Sequence, residues 1–156
     1  MRYPLIFLCL AVLLLSIAAC AAAEPPLRAE WAQEAVLPAG TEEFVLDTDE
    51  YAARILLQPD APVSDFRLFA LSLTDMDDSG CLIFSARKRL VLPVFAPERP
   101  LLITLTFPGD LPSFGISYID PDGHSQRFTL EISGEDGALL LIPAEGTGWS
   151  MEGETP

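Results

Sequence analysis

Few side chains in this sequence suit nucleophilic chemistry. His124 is the single histidine and stands beside Ser125, and the three cysteines are Cys9, Cys20 and Cys81. A serine hydrolase needs a nucleophile, a base and an orienting acid converging from separate segments. A serine adjacent to its histidine is not that arrangement, and no G-x-S-x-G elbow occurs. His124 follows Gly123 in a turn-like run and reads as an exposed turn residue. Cys81 opens the apolar run Cys81-Leu82-Ile83-Phe84 and reads as a small buried hydrophobe. The neighbouring Asp75, Asp77 and Asp78 are the opposite of the cationic setting that a reactive thiolate requires. A lone histidine with scattered thiols also falls short of a zinc ligand set. The chain therefore reads as a non-enzyme.

Oxygen ligands are abundant, with 23 acidic against 9 basic residues and a net charge of −14. Asp75-Met76-Asp77-Asp78-Ser79-Gly80 matches the D-x-D-x-S-G opening of an EF-hand-type loop, which makes Asp75, Asp77 and Ser79 the weak calcium candidates. At the twelfth position, where a bidentate glutamate belongs, stands Ala86, and the residues after Gly80 pattern as a strand. Asp and Gly at these positions also build a tight turn. That is the preferred reading, and neither a metal nor another cofactor is expected. Two alternatives to a binding module stay open. A calcium-dependent surface domain needs Asp75 and Asp77 to meet another acidic loop, such as Asp47-Thr48-Asp49-Glu50 or Asp120-Pro121-Asp122. A hydrolase of envelope polymers needs two carboxylates facing each other across a cleft. The acidic excess argues against a nucleic-acid partner, which needs a basic surface, and it repels anionic bilayers. Arg87-Lys88-Arg89 is the one basic cluster; it suits the guarding of a strand edge, or the steering of an acidic partner or contact with phospholipid headgroups.

The elements that position these groups follow a period of two. Tyr51, Ala53, Ile55 and Leu57 fall on one face of the run from Glu50 to Gln58. Phe69, Leu71 and Leu73 fall opposite Phe66, Leu68 and Ala70. Leu101, Ile103, Leu105 and Phe107 alternate with Leu102, Thr104 and Thr106, and Phe128, Leu130 and Ile132 with Arg127, Thr129 and Glu131. Alternation of this length predicts half-buried strands. Further strands are expected at Phe44–Asp47, Cys81–Ala86, Phe114–Ile119 and Ala138–Ile142. Turn sequences at Pro108-Gly109-Asp110, Asp120–Gly123 and Ser133–Gly137 predict a four-strand antiparallel meander over Leu101–Ile142. Arg87–Pro100, with Pro93, Pro97 and Pro100, is expected to be an irregular crossover or a sheet edge. Seven or eight short strands predict an all-β fold, an antiparallel two-sheet β-sandwich of immunoglobulin-like size, with a small β-barrel as the alternative.

The N-terminus reads as an address. Arg2 supplies a positive charge, Leu5 to Ala19 is uncharged and apolar, and small residues lead to Cys20, the layout of an export signal. The run Ile17-Ala18-Ala19-Cys20 resembles the lipobox of bacterial lipoproteins, with an aliphatic residue at −3, small residues at −2 and −1 and cysteine at +1. The resemblance implies cleavage between Ala19 and Cys20, acylation of Cys20 and a lipid anchor on the extracytoplasmic face of the cell membrane or outer membrane. The covalent lipid on Cys20 then takes the place of a cofactor. Ala21 stands where an Asp would retain some Gram-negative lipoproteins at the inner membrane. An uncleaved membrane helix and an ordinary secretory signal are the competing readings. The stretch Gly115–Leu141 is similar to the C-terminal hairpins of small, uncharacterised bacterial lipoproteins, a likeness that implies no activity.

The expected organisation is a signal peptide at 1–19, lipidated Cys20 and a flexible tether over 20–40, a β-sandwich over 41–143 and a flexible tail over 144–156. Pro25-Pro26 extends the tether, a short helix is expected over Leu27–Leu37, and Trp31 is placed to dock on the domain. The expected partners are the bilayer, through Cys20, and an envelope protein or glycan.

Overall fold

The computed structural model describes residues 26–32, 36–109, 111–144 and 148–151. The expected signal peptide, the expected Ala19–Cys20 cleavage junction and the extreme C-terminus lie outside the described residues. The described chain is built from ten strands: β1 (Leu27–Trp31), β2 (Glu42–Val45), β3 (Ala53–Pro59), β4 (Val63–Met76), β5 (Leu82–Phe95), β6 (Leu101–Leu105), β7 (Phe114–Ile119), β8 (Ser125–Ile132), β9 (Leu139–Pro143) and β10 (Gly148–Met151). They form a four-stranded sheet, β1-β3-β6-β2, and a six-stranded sheet, β10-β5-β4-β7-β8-β9.

Strand alternation decides what each sheet buries. Ile55 and Leu57 of β3 and Leu101, Ile103 and Leu105 of β6 face Phe66 and Leu68 of β4, Ile116 and Tyr118 of β7, and Phe128 and Leu130 of β8. Those side chains fill the space between the sheets, so the all-β sandwich expected from the period of two is the architecture, with no closed barrel among the described residues. The sheets are mixed, however. Most ladders are antiparallel, but β2 runs parallel to β6 and β10 runs parallel to β5.

Four local expectations are corrected. Residues 27–31 form a strand, not the start of a helix, paired antiparallel with β3 from Leu27↔Pro59 to Trp31↔Ile55. Leu27 is buried, and the Trp31 indole N–H donates to the Gly137 carbonyl at 2.9 Å, so the sheet takes in residues assigned to the tether. Secondly, the meander contains three strands, β7-β8-β9. The chain passes from Leu105 in one sheet to Phe114 in the other, because Phe107 stays over the core, edge-on to Phe114 at 5.6 Å. Thirdly, β5 runs on through Arg87 and Pro93 to Phe95, and only Ala96–Pro100 connects it to β6. Proline fits because β5 has an open edge at that level among the described residues. Finally, the expected tail contributes β10.

The β4–β5 hairpin serves two cores. Leu68 pairs with Leu90 but Phe69 pairs with Lys88, so Arg89 is the extra residue of a β-bulge. On one side of the bulge Phe66, Leu68, Leu90 and Leu92 face the sandwich interior. On the other side Phe69, Leu71, Phe84 and Ala86 form a second cluster, joined by Trp149 and Met151 of β10. Trp149 reaches across β4 to β7 and β8: it lies edge-on to Phe69 of β4 at 5.7 Å, its ring covers Gly115 of β7, and the Arg127 guanidinium of β8 lies 5.9 Å from its ring centroid. The sheet must therefore curl until its β10 edge approaches β7 and β8. Chain length demands the same, since four peptide steps from Ala144 to Gly148 span at most about 14 Å.

Candidate functional site

The Asp77–Cys81 turn joins β4 to β5 and, with Asp75 at the end of β4, holds the calcium candidates. Asp75 Oδ1 accepts the Met76 amide at 2.8 Å. Asp77 Oδ1 accepts the Ser79 amide at 2.9 Å, the Ser79 hydroxyl at 2.6 Å and the Cys81 amide at 2.9 Å. Gly80 adopts φ +85°, the left-handed conformation that lets the loop close on so few residues. The Ser79 hydroxyl, followed by the Cys81 amide, holds the Asp77 carboxyl below its ordinary pKa. Asp77 and Ser79 thus spend their ligand atoms on each other, and no other acidic loop joins Asp75 and Asp77 in a three-ligand group among the described residues.

A grouping that the sequence did not assemble lies at the β7–β8 turn. Ligand atoms of Asp120, Asp122 and His124 all fall within 4.8 Å of one another. Asp120 is the organiser. Its Oδ1 accepts the Asp122 amide at 3.0 Å and the His124 amide at 2.8 Å, and its Oδ2 accepts the Gln126 side-chain amide at 2.8 Å. Gly123 at φ +86° completes the turn. The Gln126 bond first, then the His124 amide, keep the Asp120 carboxyl low. Behind it, burial and then the Asp120 charge push the Tyr118 hydroxyl up to about 12. The His124 ring is three-quarters exposed, with Nδ1 3.7 Å from Asp120. The only sequence signal was D-P-D-G-H, which spells a turn as readily as a ligand set.

These groups do not converge. Ser64 pairs with Ile119, next to the His124 turn, while Met76 pairs with Leu82, next to Cys81. From Ser64 to Met76, β4 covers roughly 40 Å at about 3.3 Å per residue. Cys81 and His124 therefore sit at opposite ends of the sheet, and a thiol–imidazole pair is excluded.

The cations are arranged more tellingly. Arg28 pairs with Asp60 at 2.9 Å, Arg54 with Glu43 at 3.5 Å, Arg67 with Asp65 at 2.7 Å, and Arg99 with Glu42. Arg127 lies over Trp149. Arg87, Lys88 and Arg89 are all exposed, and no anion or ring partners them among the described residues. Comparison with known proteins adds no relative: no protein-family model, curated protein or solved structure matches the chain.

Proposed function

We propose that this protein is an extracytoplasmic lipoprotein, exported by its leader, acylated at Cys20 and working as a non-catalytic binding or accessory module at the cell membrane or outer membrane. The observation that carries the reading is Ile17-Ala18-Ala19-Cys20 at the end of an uncharged apolar run. Acyl chains hold such a protein through buried methylenes, each contributing about 0.8 kcal/mol. The first strand among the described residues begins at Leu27, seven residues after Cys20. The non-catalytic part is supported by the chemistry of the loops, whose aspartates are engaged in closing turns. Its partners are the bilayer, through the acylated cysteine, and an envelope protein or glycan.

Metabolic labelling with an alkyne fatty acid tests the anchor. The wild-type chain should carry label, and Cys20→Ser should lose it. Intact-mass analysis should place the mature N-terminus at Cys20 with acyl mass added. Labelling retained in Cys20→Ser, or a polypeptide that still begins at Met1 without acyl mass, would overturn the reading.

A further inference from the structure

We propose that the open edge of β5 from Arg87 to Leu92 docks an extended acidic segment of a partner protein, which adds to the sheet as an extra strand. This rests on the reading of the chain as a binding module, and it names the surface and the chemistry of what binds there.

The first support is charge. In a chain with 23 acidic residues, a cation finds an anion easily. Four arginines do so, and Arg127 takes an aromatic face. The three left over among the described residues are consecutive. Like charges held side by side repel one another, and an anionic partner relieves that repulsion. The second support is the backbone. β10 covers β5 only from Ile83 to Ala86, while β4 occupies the other side of β5 along its length. Beyond Ala86 the outer edge of β5 has no strand against it among the described residues. An uncovered edge presents N–H and C=O groups to which an extended peptide can add, its side chains reading the neighbouring surface. The bulge at Arg89 breaks the regular alternation within the basic run, and exposed Val91 adjoins it. Pro93 offers no N–H, so pairing stops at Leu92.

Geometry favours a polypeptide strand over lipid headgroups. The basic run lies six residues before Phe95, roughly 20 Å along the strand from the end of the sandwich where the chain enters at Leu27. A second copy is disfavoured because pairing two β5 edges would set one Arg87-Lys88-Arg89 run beside another.

The test uses the full-length chain in detergent micelles and a fluorescein-labelled octapeptide of alternating glutamate and valine, read by anisotropy. Saturable binding is expected, weakening as salt screens the charges. Arg87→Gln/Lys88→Gln/Arg89→Gln should weaken it by at least about tenfold while leaving the far-ultraviolet circular dichroism unchanged. A peptide N-methylated at alternate residues keeps the charge but cannot pair along the edge, and it should not bind. Four results would overturn the proposal: equal affinity for the triple variant; equal affinity for the N-methylated peptide; no peptide binding by wild type, which, with association of the triple variant alone, makes the run an edge guard; or binding that appears only when residues 152–156 are removed, which makes the chain's own end the occupant. Capture of the Cys20→Ser chain by anionic vesicles through the same three residues would likewise reassign the site to headgroups. Peptide binding is measured equally in Cys20→Ser, so its failure is separable from failure of the lipid anchor.

Discussion

Asp77, Asp120 and Asp136 each close a turn by gathering hydrogen bonds onto one carboxylate. Ser79, Gln126 and Ser133 respectively are the leading partners that hold their pKa values low. A carboxyl that ionises more easily folded than unfolded stabilises the fold fully above its unfolded pKa, about 3.9, and loses that contribution as the pH falls toward the folded value. The urea midpoint should therefore be flat from neutrality to about pH 5 and fall below about pH 4. In Asp120→Ala the midpoint at neutral pH should be lower, because the Asp122, His124 and Gln126 bonds are gone. Its acid-induced fall should be smaller, because one linked group has been removed. Urea titrations at the two ends of this range check the prediction, and a fall as large as in wild type would refute it. At this scale the sequence was legible as composition and ambiguous as geometry. D-x-D-x-S-G and D-P-D-G-H each serve a turn or a cation. What separates the two is whether the carboxylate oxygens point at the loop's own amides, as those of Asp77 and Asp120 do.

Strands were easier to read than their neighbours. Alternation placed Phe69 and Leu71 on the opposite face of β4 from Phe66 and Leu68, and the two faces do enter separate clusters. Trp149 was visible in the sequence, yet nothing local showed that its strand would lie parallel to β5 with its ring over Gly115. Parallel pairing and sheet curl are long-range outcomes, and a period of two is silent about both. The packing of Trp149 makes a quantitative prediction. A Cβ at Gly115 would lie 2.4 Å from the indole Cη2. Gly115→Ala should therefore cost about 1–3 kcal/mol through overpacking, and Trp149→Ala about 2–4 kcal/mol through the cavity it leaves over Phe69. In the double variant the added methyl finds room, so Gly115→Ala becomes nearly neutral there. A double-mutant cycle from urea unfolding measures this, and strict additivity would mean that the ring does not rest on Gly115.

If Cys20 is acylated as proposed, the connectivity of the described chain sets which end faces the bilayer. Leu27 pairs with Pro59, Val63 with Phe95, and Ser64 with Ile119. The Asp60–Pro62, Ala96–Pro100 and Asp120–His124 connections therefore gather at the end where β1 begins, while the Asp77–Cys81 turn lies at the far end. Seven peptide steps separate Cys20 from Leu27, a reach of at most about 25 Å. An acylated Cys20 would then hold the first end near the headgroups and point the hairpin tip away. With Asp60 and Asp65 paired to Arg28 and Arg67, that near end still carries Glu98, Asp120 and Asp122 outside any arginine pair, so anionic lipid pushes it outward over about a Debye length, roughly 10 Å at 0.1 M salt. Fluorophores can be placed on Asp122→Cys in a Cys81→Ser background and on native Cys81. With quencher-labelled headgroups in vesicles bearing the acylated chain, quenching should be strong at position 122 and weak at position 81. It should rise at position 122 when salt is added to anionic vesicles and stay constant in neutral ones. Equal quenching at both positions would mean that the sandwich lies on its side, which would bring the basic edge of β5 within reach of lipid and weaken the case for a protein strand there.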